Sequence, residues 1–135
     1  MLERNAMSQI SNAAKVLIIE NDIQLNRILQ SVFSVSNRVT IATYLLEDAL
    51  KVVERDCLHI IVFDLEIPDG DGWKMLDQLQ AALPPQAHPQ FILIAPSDLT
   101  TDPPLNCEGC HIISRPVNIS ELIGLVFLLR YEHRP

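Results

Sequence analysis

Residues 60–76 have the sequence IIVFDLEIPDGDGWKML, which combines a buried strand, a turn and the start of a helix. The apolar run at residues 58–63, which ends at Asp64, is typical of a strand buried on both faces. Pro, Gly and Asp then dominate EIPDGDG, as they do in tight loops. The next apolar residues recur at helical spacing and stop before the proline pair at 84–85: Trp73, Leu76, Leu79 and Leu83. The segment therefore predicts a strand, a loop and a helix, with a carboxylate at the end of the strand.

The same alternation extends in both directions along the chain. Four further apolar runs predict strands, at residues 15–20, 39–42, 91–95 and 110–113. Three further segments with helical periodicity predict helices: residues 22–35, the segment around Ala49, Leu50 and Val53, and residues 119–131. Strands that alternate with helices predict an α/β fold whose parallel sheet is covered by helices on both faces.

Composition limits the classes of protein that remain. The chain has 135 residues, of which 48% are hydrophobic and 20% charged, so it has material for one domain with a real core and is not a disordered chain. It contains no apolar run long enough for a membrane span, and its first residues lack a secretory signal, so we expect a cytoplasmic protein. The net charge of −7 and the scattered Lys and Arg residues argue against a nucleic-acid-binding face.

Polar residues follow three of the predicted strands. The carboxyl ends of parallel strands meet at one edge of the sheet, so we expect these side chains to lie close together: Glu20, Asn21, Asp22, Asp64 and Arg115. Oxygen ligands of this kind suit Mg²⁺, and a carboxylate beside such an ion can act as a nucleophile toward a phosphoryl group. The alternative is that these are solvated turn residues, and spacing alone does not decide between the two.

Three segments in order resemble the receiver domains of two-component response regulators, over about residues 14–131. Residues 60–76 resemble the phosphorylation loop, VLIIEND at 16–22 resembles the first strand with its acidic pair, and SRPVNISEL at 114–122 resembles the Lys-Pro signature. The resemblance implies a flavodoxin-like three-layer sandwich with a five-stranded parallel sheet in the order 2-1-3-4-5. Residues 1–13 would be an N-terminal extension, and residues 132–135 a tail or the start of a linker.

The resemblance also implies a function and a site. Asp64 matches the phosphoacceptor, Glu20 and Asn21 match the acidic pair, and Arg115 would pair with the phosphoryl oxygens. Mg²⁺ would be held by Glu20, Asn21, Asp64 and the backbone carbonyl of Glu66. The partner would be a histidine kinase or a phosphotransfer protein. We therefore expect a signalling domain and not an enzyme, with Asp64 an accessible nucleophile within reach of Glu20 and Arg115.

Several positions depart from the pattern of the family. Asn21 replaces an acid, which should weaken Mg²⁺ binding, and Arg115 replaces a lysine of different geometry. Ala95 or Pro96 stands where the family has a hydroxyl residue, although Ser97 is nearby, and Ile112 replaces a switch aromatic. The hydroxyl and the aromatic are two parts of the conformational relay of the family, and both are missing. An alternative therefore remains open: a pseudo-receiver, which would keep the fold as an interaction or dimerisation domain and work without phosphorylation.

The segment between the fourth and fifth strands is also unusual. Its proline pair at 103–104 predicts that the helix expected there is short or irregular. Cys107, Cys110 and His111 match the C-x-x-C-H pattern of haem attachment, and could also suggest a redox pair or a zinc site. An export signal and a fourth zinc ligand are both missing, so we favour packing and loop roles for these cysteines.

The last predicted helix is apolar around nearly its whole circumference. The residues concerned are Leu122, Ile123, Leu125, Val126, Phe127, Leu128 and Leu129. Packing on a sheet needs only one apolar stripe, so the outer face should be covered by something else. A homodimer through this helix agrees with the receiver resemblance, and the alternative is that the missing part of a longer protein covers it.

Overall fold

A computed structural model gives the fold, and it describes residues 14–35, 37–97 and 109–132, with side chains up to residue 129. The described strands are β1 (Ala14–Ile19), β2 (Arg38–Thr43), β3 (Ile60–Asp64), β4 (Gln90–Ala95) and β5 (His111–Ser114). The described helices are α1 (Ile23–Phe33), α2 (Leu46–Arg55), α3 (Gly72–Ala82) and α4 (Ile119–Glu132). Each predicted strand and helix in these ranges is confirmed, with ends that differ by one or two residues.

The five strands form one parallel sheet in the order β2-β1-β3-β4-β5, as predicted. The register brings the carboxyl ends of the strands to one level. Ile19 at the end of β1 lies opposite both Thr43 and Phe63, and Asp64 lies opposite Ile94. Glu20, one residue past β1, therefore lies beside Asp64 at this edge of the sheet.

Helices cover both faces of the sheet, which gives the three layers of the predicted sandwich. One core cluster joins α2 and α3 to strand residues that include Leu17, Ile61, Phe63 and Leu93. The other joins α1 and α4 to strand residues that include Val16, Ile60, Val62 and Ile113. The central strands β1, β3 and β4 contribute side chains to both clusters, which explains why they appear in the sequence as continuous apolar runs.

Polar side chains in the loops after β1, β3 and β5 cap the helices that follow. Asp22 caps α1, because its carboxylate accepts from the N–H groups of Gln24 and Leu25 at 2.9 and 3.1 Å. Asp71 caps α3 in the same way, and the Asn118 side chain accepts from the N–H of Glu121 at 3.1 Å. The Asp22 carboxylate is therefore committed to a helix terminus.

Some expectations lie outside the described residues. These are the N-terminal extension at 1–13, the irregular segment within 98–108, the tail at 133–135, and any role of Cys107. Within the described part of the chain, none of the helices is both long and apolar enough to cross a bilayer.

Candidate functional site

Glu20, Asp64 and Arg115 converge at the carboxyl edge of the sheet. Arg115 Nη2 forms an ion pair with Asp64 Oδ2 and lies 3.4 Å from Glu20 Oε1. Glu20 and Arg115 are 95 positions apart in the sequence. The three residues meet because β1, β3 and β5 end at the same edge of the sheet. The structure therefore brings together the two acids and the cation that the sequence singled out.

The long side chain of Arg115 bridges the width of a strand. β4 lies between β3 and β5, so the backbones of these two strands are about 10 Å apart. The Arg115 N–H donates to the carbonyl of Ala95 at 2.9 Å, which holds its backbone at the end of β4. Ala95 and the following Pro96 have no polar side chain, so the contact across β4 is made by the Arg115 side chain and the acids it meets.

Both acids are buried beneath this guanidinium. Glu20 is 1% exposed and Asp64 is 2% exposed, whereas the Arg115 side chain is 30% exposed. The expectation of an accessible Asp64 is therefore wrong for this conformation. The reason is that Arg115, which the sequence places nearby, lies over the carboxylate.

The loop after β3 contacts the other oxygen of Asp64. Asp64 Oδ1 accepts from the N–H of Glu66 at 2.9 Å. Glu66 Oε2 also lies 3.1 Å from Arg115 Nε, close enough for an ion pair, but the geometry is not that of a hydrogen bond. Because Glu66 is exposed, solvent screens this attraction, and its contribution to stability is small. The Asp64 carboxylate thus lies between a backbone donor and a cation.

The cluster changes the protonation of its members. Burial, a hydrogen bond with Asp64 and the negative charge of Asp64 together raise the pKa of Glu20 from 4.5 to about 8. The N–H of Asp22 and the charge of Arg115 oppose this rise, but they are weaker. Burial acts to lower the pKa of Arg115, but the charges of the three nearby carboxylates outweigh it and raise this pKa above its usual value. At neutral pH, Glu20 is therefore largely protonated and Arg115 is charged.

The proposed metal donors are all oxygen atoms, which suits a hard cation such as Mg²⁺. The Asn21 side chain is exposed at the end of β1, next to buried Glu20. Among the residues that the structure describes, no group of three His, Cys, Asp or Glu side chains is arranged to hold a metal ion. With Asp64 paired to Arg115 and Glu20 protonated, this donor set fits only a weak site.

The structure also describes the positions where the resemblance places a hydroxyl residue and an aromatic residue. Ala95 is buried at the end of β4, Pro96 is half-buried and Ser97 is exposed. Ile112 is half-buried and packs against the core cluster beneath α2 and α3. An aliphatic side chain therefore fills the position that the resemblance assigns to an aromatic.

Asn26 supports the site, although sequence reasoning missed it. It is fully buried in α1, and its Nδ2 donates to the carbonyls of Glu20 and Thr43 at 2.9 and 3.1 Å. Its Oδ1 accepts from Gln30 Nε2 at 2.9 Å. These bonds tie the ends of β1 and β2 together and fix the backbone of Glu20. A signal was available, because Asn26 shares the buried stripe of α1 with Leu29 and Phe33.

Asp69, in the loop after β3, was also missed. Its Oδ2 accepts from the N–H of Leu46, the first residue of α2, at 2.8 Å. Nothing local in the sequence distinguishes this residue from the other acids of EIPDGDG, because its partner is 23 positions away.

The raised pKa of Glu20 predicts how stability depends on pH. The folded state binds this proton more tightly than the unfolded state, so stability should fall as pH rises from about 4.5 to about 8. Glu20→Gln keeps a neutral group of the same shape, and should raise the free energy of unfolding at pH 7 by about 1 to 3 kcal/mol. Urea unfolding of both proteins between pH 4.5 and 8.5 measures the difference.

The matched control is Glu54→Gln, which neutralises an exposed acid on α2. It should leave the slope of stability against pH unchanged. Equal slopes for wild type and Glu20→Gln would contradict the assignment of a protonated Glu20.

Comparison with known proteins adds the identity of the fold. No family model matches the sequence, and no curated protein matches it. Solved structures do match. A two-component response regulator from Clostridium difficile has a TM-score of 0.74 at 18% identity, with 90% of this chain and 99% of that chain covered.

Two receiver domains agree with this match. A response regulator receiver domain from Methylobacillus flagellatus has a TM-score of 0.73 at 18% identity, covering 87% of this chain and 99% of that one. A receiver domain of a Francisella response regulator has a TM-score of 0.71 at 21% identity, covering 90% and 99%. Over almost its whole length, this chain has the fold of response regulator receiver domains.

Proposed function

We propose that this chain is a receiver module of a two-component phosphorelay, in which Asp64 accepts a phosphoryl group from a histidine kinase or a phosphotransfer protein. One observation carries the proposal: the Asp64 carboxylate lies at the carboxyl edge of a receiver-like sheet, between the N–H of Glu66 and the guanidinium of Arg115. A nucleophilic carboxylate next to a cation is the arrangement that phosphoryl transfer requires.

In the proposed reaction, a carboxylate oxygen of Asp64 attacks the phosphorus of a phosphohistidine. The new O–P bond forms as the N–P bond breaks, and the bonding electrons leave with the imidazole ring. Arg115 is partly exposed, so its side chain can move outward with the phosphoryl group and pair with the new oxygens. Arg115 thus exchanges one anionic partner for another, and its charge is never left without one.

Mg²⁺ would be held by Glu20, Asn21, Asp64 and the backbone carbonyl of Glu66, and would supply positive charge that stabilises the transferring phosphoryl group. Binding should be weak, since Asn21 contributes no charge and Arg115 competes for Asp64. Glu20 must also give up its proton to serve as a charged ligand, and its raised pKa opposes this near neutral pH.

Asn21→Asp should strengthen Mg²⁺ binding about tenfold by restoring one negative charge at the site. Trp73 is half-buried at the start of α3 and provides the fluorescence signal for a titration. Gln86→Glu is the matched control, because it adds the same charge in an exposed loop at the opposite edge of the sheet. An equal gain in affinity for both variants would contradict the proposed ligand set.

Incubation with Mg²⁺ and acetyl phosphate should produce an acid-stable, base-labile adduct of one phosphoryl group. Asp64→Asn should abolish it, because an amide oxygen is a poor nucleophile. Asp48→Asn changes an exposed acid on α2 and should leave labelling intact. Intact mass spectrometry measures the adduct, and persistent labelling of Asp64→Asn would contradict the assignment of the acceptor.

A pseudo-receiver is the second candidate function. The Arg115 ion pair and the burial of Asp64 favour it, because both neutralise and cover the acceptor without any phosphoryl group. The absence of a hydroxyl at Ala95 and Pro96 favours it too. If no adduct forms on wild type and Mg²⁺ leaves the fluorescence of Trp73 unchanged, this second function is supported and the first is excluded.

We further propose that a second copy of this chain covers the outer face of α4. Four apolar residues are exposed there: Ile119, Ile123, Phe127 and Leu128. Gly124 lies among them, and a Cβ at this position would meet nothing within 4 Å, so a partner could approach closely. Glu121 is the exposed acid described on this helix. The chain has a net charge of −7, so a mainly apolar face is where two copies meet with least repulsion.

Phe127→Lys places a charge in the middle of this face and should weaken self-association at least tenfold, as measured by sedimentation equilibrium. Leu45→Lys is the control, because it alters an exposed apolar residue just before α2, on the other face of the sheet. A monomer for wild type at high concentration, or an equal effect of both variants, would contradict the dimer.

A further inference from the structure

We propose that Asp69 couples the state of Asp64 to the first turn of α2, so that this turn loosens when Asp64 is phosphorylated. The inference rests on the proposed phosphorylation of Asp64. It assigns a positioning role to Asp69 and identifies α2 as the helix whose N-terminus responds to the site.

The N-terminus of α2 depends on a hydrogen-bond acceptor that is distant in the sequence. The residue at its N-cap position is Leu45, whose side chain makes no capping hydrogen bond. Asp69 supplies the acceptor instead, at 2.8 Å from the N–H of Leu46. A helix terminus whose N–H groups lose their acceptor becomes less stable. The first turn of α2 is therefore held by the loop that follows Asp64.

The loop between Asp64 and α3 is short, and it is fixed at its α3 end. Asp71 caps α3, and Gly72 packs directly against Leu65. A Cβ on Gly72 would clash with the Leu65 carbonyl oxygen and lie 2.9 Å from Leu65 Cβ. Because the two ends of the loop lie in close contact, we expect a movement of Glu66 to be passed to the residues between them, which include Asp69.

Phosphorylation of Asp64 would change both contacts of Glu66. Its N–H donates to Asp64 Oδ1, and its carboxylate pairs with Arg115. When one oxygen of Asp64 becomes the bridging oxygen of an acyl phosphate, the carboxylate loses its charge and becomes a weaker acceptor. Arg115 then moves to the phosphoryl oxygens. Both contacts of Glu66 are therefore weaker in the phosphorylated state than in the resting state.

On the opposite side of the site, the side chains that could respond to a phosphoryl group are missing. Ala95 and Pro96 at the end of β4 offer no hydroxyl to a phosphoryl group, and Ile112 in β5 offers no aromatic ring. The connection from Asp64 through Glu66 and Asp69 to Leu46 consists of two described hydrogen bonds and the two loop residues between Glu66 and Asp69. The observations thus favour α2 as the responding helix.

Hydrogen exchange of the peptide covering residues 44–50 tests the coupling, with intact mass used to verify the adduct on Asp64. In wild type, acetyl phosphate with Mg²⁺ should speed exchange in this peptide about fivefold, the effect expected for loss of a cap. Asp69→Ala should exchange rapidly with or without the phosphodonor, while Asp64 is still labelled. Asp69→Asn keeps a carbonyl acceptor and should retain the response.

The matched control is Asn118→Ala, which removes the cap of α4 outside this loop. It should speed exchange at the start of α4 and leave the response of residues 44–50 intact. If Asp64 is labelled but exchange at 44–50 is unchanged, or if Asp69→Ala retains the full response, the coupling is overturned and the proposed function stands. If Asp64 is not labelled in wild type, the proposed function itself fails.

Discussion

The site depends on one guanidinium that is shared by two buried carboxyl groups. Burying an unpaired charge in a protein costs several kcal/mol, and two acids side by side repel each other. Here Arg115 neutralises Asp64, and Glu20 keeps a proton because its pKa is raised to about 8. At neutral pH, the three groups together therefore carry no net charge. This balance allows two acids to lie almost fully buried at the edge of the sheet.

The fold determines why these three residues meet. β1, β3 and β5 end at the same edge, so the residues that follow them become neighbours whatever their distance in sequence. Asn26 then fixes the end of β1 from within α1, and the N–H of Glu66 fixes one oxygen of Asp64. The acids are held by backbone and by buried contacts, whereas the cation reaches them on a long and partly exposed side chain. Of the three residues, Arg115 is therefore the most exposed to solvent.

The sequence predicts the fold well, because continuous apolar runs and helical periodicity follow directly from burial on a two-sided sheet. It also predicts that Glu20, Asp64 and Arg115 come together, since strand ends share an edge. It does not predict that Arg115 covers Asp64, because the direction of a long side chain depends on contacts made after folding. Asp69 was missed for a related reason: its partner Leu46 lies in another segment, so no local pattern indicates the bond.

The same ion pair is compatible with both proposed functions, and the energy of releasing it decides between them. An incoming phosphoryl group must displace Arg115 from Asp64. The phosphoryl oxygens then pair with the guanidinium and carry more negative charge than the carboxylate did. Arg115 is 30% exposed but Asp64 is only 2% exposed, so this exchange also has to open the contact over Asp64. If the exchange is favourable, the ion pair is the resting state of a phosphoacceptor. If it is unfavourable, because Asn21 weakens the metal site and Glu20 holds its proton, the ion pair is a permanent internal bridge and the chain is a pseudo-receiver.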